Sequence, residues 1–277
     1  MIVTRFAPSP TGLLHLGHAF AAITAAEAGE RFLLRIEDID AGRCRAEFEA
    51  AIFEDLHWLG LRWEEPVLRQ STRFGAYRAA LEGLDAEGLL YPCFCTRKDI
   101  AGEIARAIEA PHLMNLGPEG PLYPGTCRKL SGDVRQTRIA SGEQYALRLD
   151  AAEAAKRVGP LTFKDHSNVT NVDPLLFGDV VLARKDTPAS YHLAVVVDDA
   201  FQGVTLVTRG IDLLSVTHIQ RVLQALLNLP EPAYAHHRLI LDENGKKFSK
   251  RDQAVTLRGL RESGVTPAQI REKFTSR

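Results

Sequence analysis

Cysteine is scarce in this chain: Cys44, Cys93, Cys95 and Cys127 are the four among 277 residues. No run of eighteen apolar residues occurs, so no transmembrane helix is expected. The N-terminus has no basic stretch followed by an apolar one, so no secretory leader is expected and the cytoplasm is the expected compartment. In that setting the close pair Cys93 and Cys95 favours metal over a disulfide. Charge of one sign is also missing: 34 basic against 35 acidic residues leave a formal net charge of −1. That balance argues against indiscriminate nucleic-acid binding, although a local basic surface would suffice for RNA. There is no internal repeat and no low-complexity segment. What remains is ordinary globular composition, in a chain long enough to bury a full core and hold one large domain with an insertion.

The most informative stretch lies at the start. Met1 to Ala7 is β-rich and mostly apolar, so a strand is expected there. Pro8, Pro10 and Gly12 then break it within five residues. From Leu14 an Ala-rich helix is expected to Ala28. A strand, a turn and a helix start form an anion site, because the first helical N–H groups lack partners. His15 and His18 are three apart and share a face there, where two imidazoles can donate to phosphate oxygens. Gly17 leaves room for a flat ring against the backbone. The plainer reading is two surface histidines after a proline turn.

A second stretch favours the phosphate reading. Gly245 to Arg251 (GKKFSKR) follows a tight-turn Asn244-Gly245 and the strand-like Arg238 to Leu241. It presents a cluster of cations on a loop. By itself a basic loop is usually a solvated face; with the histidine turn it forms two clamps for a polyphosphate.

HLGH at 15–18 and KFSKR at 247–251 resemble the HIGH and KMSKS signatures of class I aminoacyl-tRNA synthetases. RFAPSPTG (Arg5 to Gly12) and RIED (Arg35 to Asp38) narrow the resemblance to the glutamyl and glutaminyl branch, over roughly Met1 to Asp252. The resemblance implies an α/β fold: a class I synthetase Rossmann-type catalytic core with an inserted zinc-containing α+β subdomain. The expected division is 1–90 for the first half of the core, 91–189 for the insertion, 190–240 for the second half, and 241–277 for the KFSKR loop and a short helical tail.

It also implies roles for matching residues. His15, His18, Lys247 and Lys250 would be catalytic, with Gly17 and Ser249 joining them around ATP. Arg5, Phe6, Ala7, Pro8, Ser9, Glu37, Tyr191 and Arg209 would surround glutamate. Glu37 follows the apolar run Arg31 to Ile36, and strand carboxyl ends are where α/β sheets gather ligands. Arg209 matches the arginine that pairs with a substrate carboxylate. Val195 stands where glutamyl-tRNA synthetases usually have Asn, and Ile211 where they usually have Glu. His192 reads as structural, and Cys44 as a lone thiol.

The insertion carries Cys93, Cys95 and Cys127, three thiolates where structural zinc takes four ligands. By generic chemistry His112 could be the fourth. The resemblance points instead to the C-x-C and Y-x-x-x-C ligands of glutamyl-queuosine tRNA(Asp) synthetases, which here are Cys93, Cys95, Tyr123 and Cys127. The runs 144–150, 161–165 and 177–184 alternate like strands and are expected to be antiparallel strands of this insertion.

Beyond Arg251 only a short tail with a small helix after Thr266-Pro267 is expected, with no large anticodon-binding domain. The implied activity is ATP-dependent formation of glutamyl-adenylate, with Mg2+, and glutamyl transfer to queuosine at the anticodon of tRNA(Asp). The implied partners are glutamate, ATP and that tRNA; a monomer and no membrane are expected. Two alternatives stand beside it. One is a truncated glutamyl-tRNA synthetase charging a 3′ end; the other is a non-catalytic RNA-binding regulatory paralogue.

Overall fold

The computed structural model describes residues 1–108, 116–184, 186–240 and 256–275. Three parallel strands open the chain: Val3–Phe6, Arg31–Ile36 and Glu64–Arg69, with Arg31–Ile36 in the middle. The middle strand is buried at five of its six positions, the burial that an apolar run covered on both faces predicts. The helix Leu16–Ala28 crosses from the first strand to the second, and Ala46–Trp58 from the second to the third. Gly29 closes the first crossover. A Cβ there would sit 2.3 Å from Thr4 Oγ1 and 2.7 Å from the Arg31 carbonyl, so only glycine lets the chain turn that tightly.

A second sheet is built from distant segments, in the order Leu206–Gly210, Ala233–His237, Thr162–Asp165, Asn168–Asn171. The first three are parallel, and the last pairs antiparallel as a hairpin. This sheet abuts the first through Thr205, whose N–H donates to the Val3 carbonyl at 3.0 Å. Val3, Leu33, Phe163, Val204, Val207 and Tyr234 form one apolar cluster across the seam. Each fully buried aliphatic or aromatic side chain there stabilises the fold by roughly 1.5–3 kcal/mol. The helices Tyr191–Phe201 and Val216–Leu226 contribute to a larger core together with Phe74–Ala86.

The third sheet is antiparallel, with Ala146–Leu149 between Leu90–Cys93 and Val181–Arg184. Here the structure corrects the sequence reading. Of the three runs expected to pair in an insertion, 144–150 and 177–184 do contribute strands to this sheet. Thr162–Asp165 does not; it joins the second sheet through Asp165 opposite Tyr234. Alternation sets which side of a strand is buried but not which sheet receives it. Phe163 finds its burial beside Tyr234 and Val207, across the seam.

Arg238 to Ile240 is not a strand; the strand is the preceding Ala233–His237. After Gly210 the chain makes a single 3-10 turn, Ile211–Leu213, and becomes α-helical over Val216–Leu226. The tail helix spans Pro267–Thr275. Among the described residues no helix is long and apolar enough to cross a membrane.

Candidate active site and candidate metal centre

His15 is the N-cap of the helix Leu16–Ala28, and the turn folds on itself. The Gly17 N–H donates to His15 Nδ1 at 3.1 Å, and the His15 N–H donates to His18 Nδ1 at 3.2 Å. An Nδ1 that accepts a backbone proton carries none, so each neutral ring has its N–H at Nε2. The two rings lie 3.8 Å apart between centroids. The ring over Gly17 is therefore that of His15: an added Cβ would meet its Cε1 at 3.0 Å. The space that the sequence reserved for a ligand ring is taken by the histidine's own ring.

The KFSKR loop, with Lys247, Ser249 and Lys250, lies outside the described residues, as does His112. The chain re-enters at Thr256, which bridges antiparallel to His15, and Leu257 donates its N–H to the Leu14 carbonyl at 2.8 Å. The segment that follows the loop is thus pinned against the histidine turn.

Behind this turn runs a buried charge network. Arg5 Nε donates to Asp199 Oδ1 at 3.0 Å, and Arg35 Nη1 donates to the same oxygen at 2.6 Å. Arg35 Nη2 reaches Glu37 Oε1 at 3.1 Å. Burial pushes the Glu37 carboxyl above its ordinary pKa, against the pull of Arg35 and Arg5. Burial acts the same way on Asp199, but there Arg5 and Arg35 outweigh it and hold the carboxyl below its usual value. Two arginines and two carboxylates so near one another compensate the charge that burial would otherwise forbid.

A cleft of about 1090 Å³ opens beside this network. Ser9, Glu37, Gln70, Tyr191 and His192 line it on the side of the parallel sheets, and Tyr123, Arg148 and Asp179 on the other. Of the residues expected around glutamate, the cleft gathers Ser9, Glu37 and Tyr191. Phe6 packs in the core formed with Leu14 and Ile36, and the Pro8 carbonyl accepts from the Glu37 N–H at 3.0 Å. Ala7 lies half-buried between them. Arg5 is buried behind the wall.

Arg209 is buried as well, at the end of its strand. Its Nε donates to His236 Nε2 at 3.1 Å, Nη1 to Gln220 Oε1 at 2.7 Å, and Nη2 to Thr217 Oγ1 at 2.8 Å. These partners are not carboxylates, and Arg209 makes no ion pair among the described residues. Its charge reaches His192 in the cleft wall: burial first, and then Arg209, lower the His192 pKa to about 4. His192 is neutral near pH 7, in keeping with a structural role.

Across the cleft the cysteines converge. The sulfurs of Cys93, Cys95 and Cys127 all lie within 4.8 Å of one another. Tyr123 points its hydroxyl among them, 3.4 Å from Cys93 Sγ and 3.5 Å from Cys95 Sγ. Zinc–sulfur bonds of about 2.3 Å in a tetrahedron set ligands roughly 3.8 Å apart, so three thiols and a phenol at these separations fit a structural zinc. The Arg148 guanidinium stacks 3.9 Å from the Tyr123 ring centroid and holds the ring in place. The Tyr123 hydroxyl is thus the fourth polar group at the cluster.

Sequence reasoning missed Asp198, Asp199 and Gln70. Nothing local to the two aspartates marks them, and only folding buries them against arginines and a glutamine more than a hundred residues away.

The whole chain, residues 1–277, matches the family described as tRNA synthetases class I (E and Q), catalytic domain. A relative in Rhodobacter capsulatus, named glutamyl-Q tRNA(Asp) synthetase, is 49% identical and is covered over 98% of both chains. A glutamate–tRNA ligase of Aquifex aeolicus is 39% identical over 97% of this chain, but over only 55% of its own length. Among solved structures, a glutamate tRNA ligase from Elizabethkingia meningosepticum in complex with its amino acid superposes with a TM-score of 0.73 at 28% identity. That match covers 91% of this chain, which spans about half the solved one (52%).

Proposed function

The chain belongs to the class I tRNA synthetases of the glutamate and glutamine type, in the group of glutamyl-Q tRNA(Asp) synthetases, and from that premise we propose that it activates glutamate with ATP and passes the glutamyl group to queuosine at the anticodon of tRNA(Asp). It is a ligase-type enzyme that forms an aminoacyl-adenylate.

In the proposed first step an α-carboxylate oxygen of glutamate attacks the α-phosphorus of ATP, and pyrophosphate leaves. The Nε2–H groups of His15 and His18 donate to phosphate oxygens as charge develops, at the N-terminus of a helix that already favours anions. Lys247 and Lys250 hold the departing pyrophosphate, with Mg2+ sharing its charge. Ser249, and the Gly17 backbone beneath the His15 ring, complete the ATP site. In the second step a hydroxyl of the acceptor takes the glutamyl carbonyl, and AMP leaves. The protein supplies position and charge, with no covalent intermediate on a side chain.

The observation that carries the amino-acid assignment is Arg209. It is a buried guanidinium with amide, hydroxyl and imidazole partners, and it makes no ion pair to a described carboxylate. A buried cation of this kind is completed by a carboxylate ligand, and a glutamine amide would leave its charge unpaired. Glu37 faces the substrate's ammonium, and Ser9 and Tyr191 close around its backbone. Arg5, with Phe6, Ala7 and Pro8, backs this wall. Zinc on Cys93, Cys95, Tyr123 and Cys127 serves to staple the segment that walls the far side of the cleft.

The test is transfer of labelled glutamate, with ATP, to tRNA(Asp) prepared with and without queuosine. Label on the queuosine-containing tRNA alone is the expected result. Label on tRNA(Glu) would make this a charging enzyme, and no label with intact RNA binding would make it a regulatory paralogue.

A further inference from the structure

Gln70 sits in the cleft wall, 2% exposed, in a 3-10 turn that the sequence reading passed over. Its environment decides which way its amide faces. Asp198 is fully buried; it pairs with Arg73 Nε at 3.1 Å and accepts from the Tyr77 hydroxyl at 2.6 Å. A carboxylate so paired can only accept, so the Gln70 end that meets Asp198 Oδ2 at 3.0 Å must be the NH2 group. The carbonyl Oε1 is thereby turned the other way, and it accepts from no described residue. The next residue fixes the turn from the opposite side: Ser71 donates its N–H and hydroxyl to Asp38 at 2.8 and 2.6 Å. Asp38 adjoins Glu37, so the two pairs of neighbours set Gln70 beside Glu37 on the same cleft.

We propose that Gln70 is a substrate-binding residue: its Oε1, locked toward the cleft by Asp198, accepts from the α-ammonium group of the amino acid alongside the Glu37 carboxylate. This rests on the assignment of the cleft to glutamate. Two acceptors suit an ammonium, which offers three donors and accepts none. Oε1 meets no donor among the described residues, so a ligand group that brings an N–H to the cleft completes it, and the Glu37 carboxylate on the same cleft favours a cationic one.

The experiment measures glutamate-dependent exchange of pyrophosphate into ATP, with tRNA present, for wild type and Gln70→Met. Glutarate, which lacks the ammonium, serves as a competitor. Losing a hydrogen bond to a charged group should raise the KM for glutamate about tenfold or more, with kcat much less affected. The inhibition constant of glutarate should stay within about twofold, since the lost bond is one it never made. Asp198→Asn, which frees the amide to turn over, should raise the glutamate KM with Gln70 intact. An unchanged glutamate KM in Gln70→Met overturns the proposal. So does a glutarate constant that rises in step with it, because that would mean a general loss of the cleft's shape. Wild-type enzyme that exchanges with another amino acid but not with glutamate would overturn the assignment of the cleft itself, and this inference with it.

Discussion

His15 holds two jobs that chemistry can separate. As N-cap its imidazole accepts the Gly17 N–H, and as the proposed phosphate ligand it offers Nε2–H. Removing a cap costs about 1 kcal/mol of stability, whereas removing a donor to the transition state costs orders of magnitude in rate. His15→Ala is therefore expected to lower the unfolding free energy by about 1 kcal/mol and to cut adenylate formation at least a hundredfold. His15→Asn should recover most of the stability, because asparagine caps well, but little of the activity. Thermal unfolding and pyrophosphate exchange on the same samples read both quantities. Activity recovered together with stability would leave His15 only its cap. That His15 and His18 share one face of a helix start was legible in the sequence from their spacing. Their tautomers were not, because these depend on which backbone N–H each Nδ1 meets after the turn closes.

At the scale of elements, the segment from Leu90 to Leu130 shows what a metal would supply. Among the described residues its apolar cluster is small: Tyr91, Cys93, Phe94 and Cys127 are its buried members. The hairpin Leu116–Gly117 with Gly120–Pro121 adds only two pairs of residues. So small a core contributes little hydrophobic stabilisation against the entropy of ordering loops. Metal analysis is expected to give about one zinc per chain, lost in Cys95→Ser. Chelation should raise proteolysis between Leu90 and Leu130 while the parallel sheets stay protected. A folded, protease-resistant protein with no metal would refute the site. The three thiols were legible as a metal candidate because C-x-C is a local spacing; Tyr123 beside them was implied only by the family resemblance. That Thr162–Asp165 leaves this neighbourhood for the second sheet was not legible, because sheet membership depends on contacts far along the chain.

For the whole molecule the decisive residue is Asp199. It lies on the helix Tyr191–Phe201 and binds Arg5 of the first strand and Arg35 of the second. It thus ties chain segments almost two hundred residues apart into one unit beneath the cleft. Asp199→Ala would remove the carboxylate oxygen that both buried guanidiniums share, a loss of about 3–5 kcal/mol. That is a large share of the stability of an ordinary domain. The variant is expected to unfold at much lower denaturant concentration than wild type, and to lose glutamate binding as the wall relaxes. A midpoint near that of wild type would show that the network serves the ligand alone.

The sequence by itself determined whatever rests on near neighbours: the histidine turn, the Ala-rich first helix, the buried central strand, the C-x-C spacing and the likeness to class I synthetases. These depend on backbone preference, on periodicity, and on motifs whose members lie a few residues apart. Only the tertiary structure decided which charges meet. It set Arg5 and Arg35 on one aspartate, gave Arg209 an imidazole, an amide and a hydroxyl as partners, and tied the Gln70 amide to Asp198. The physical reason is that a charge in water needs no partner, while a buried one must find it wherever the fold supplies it.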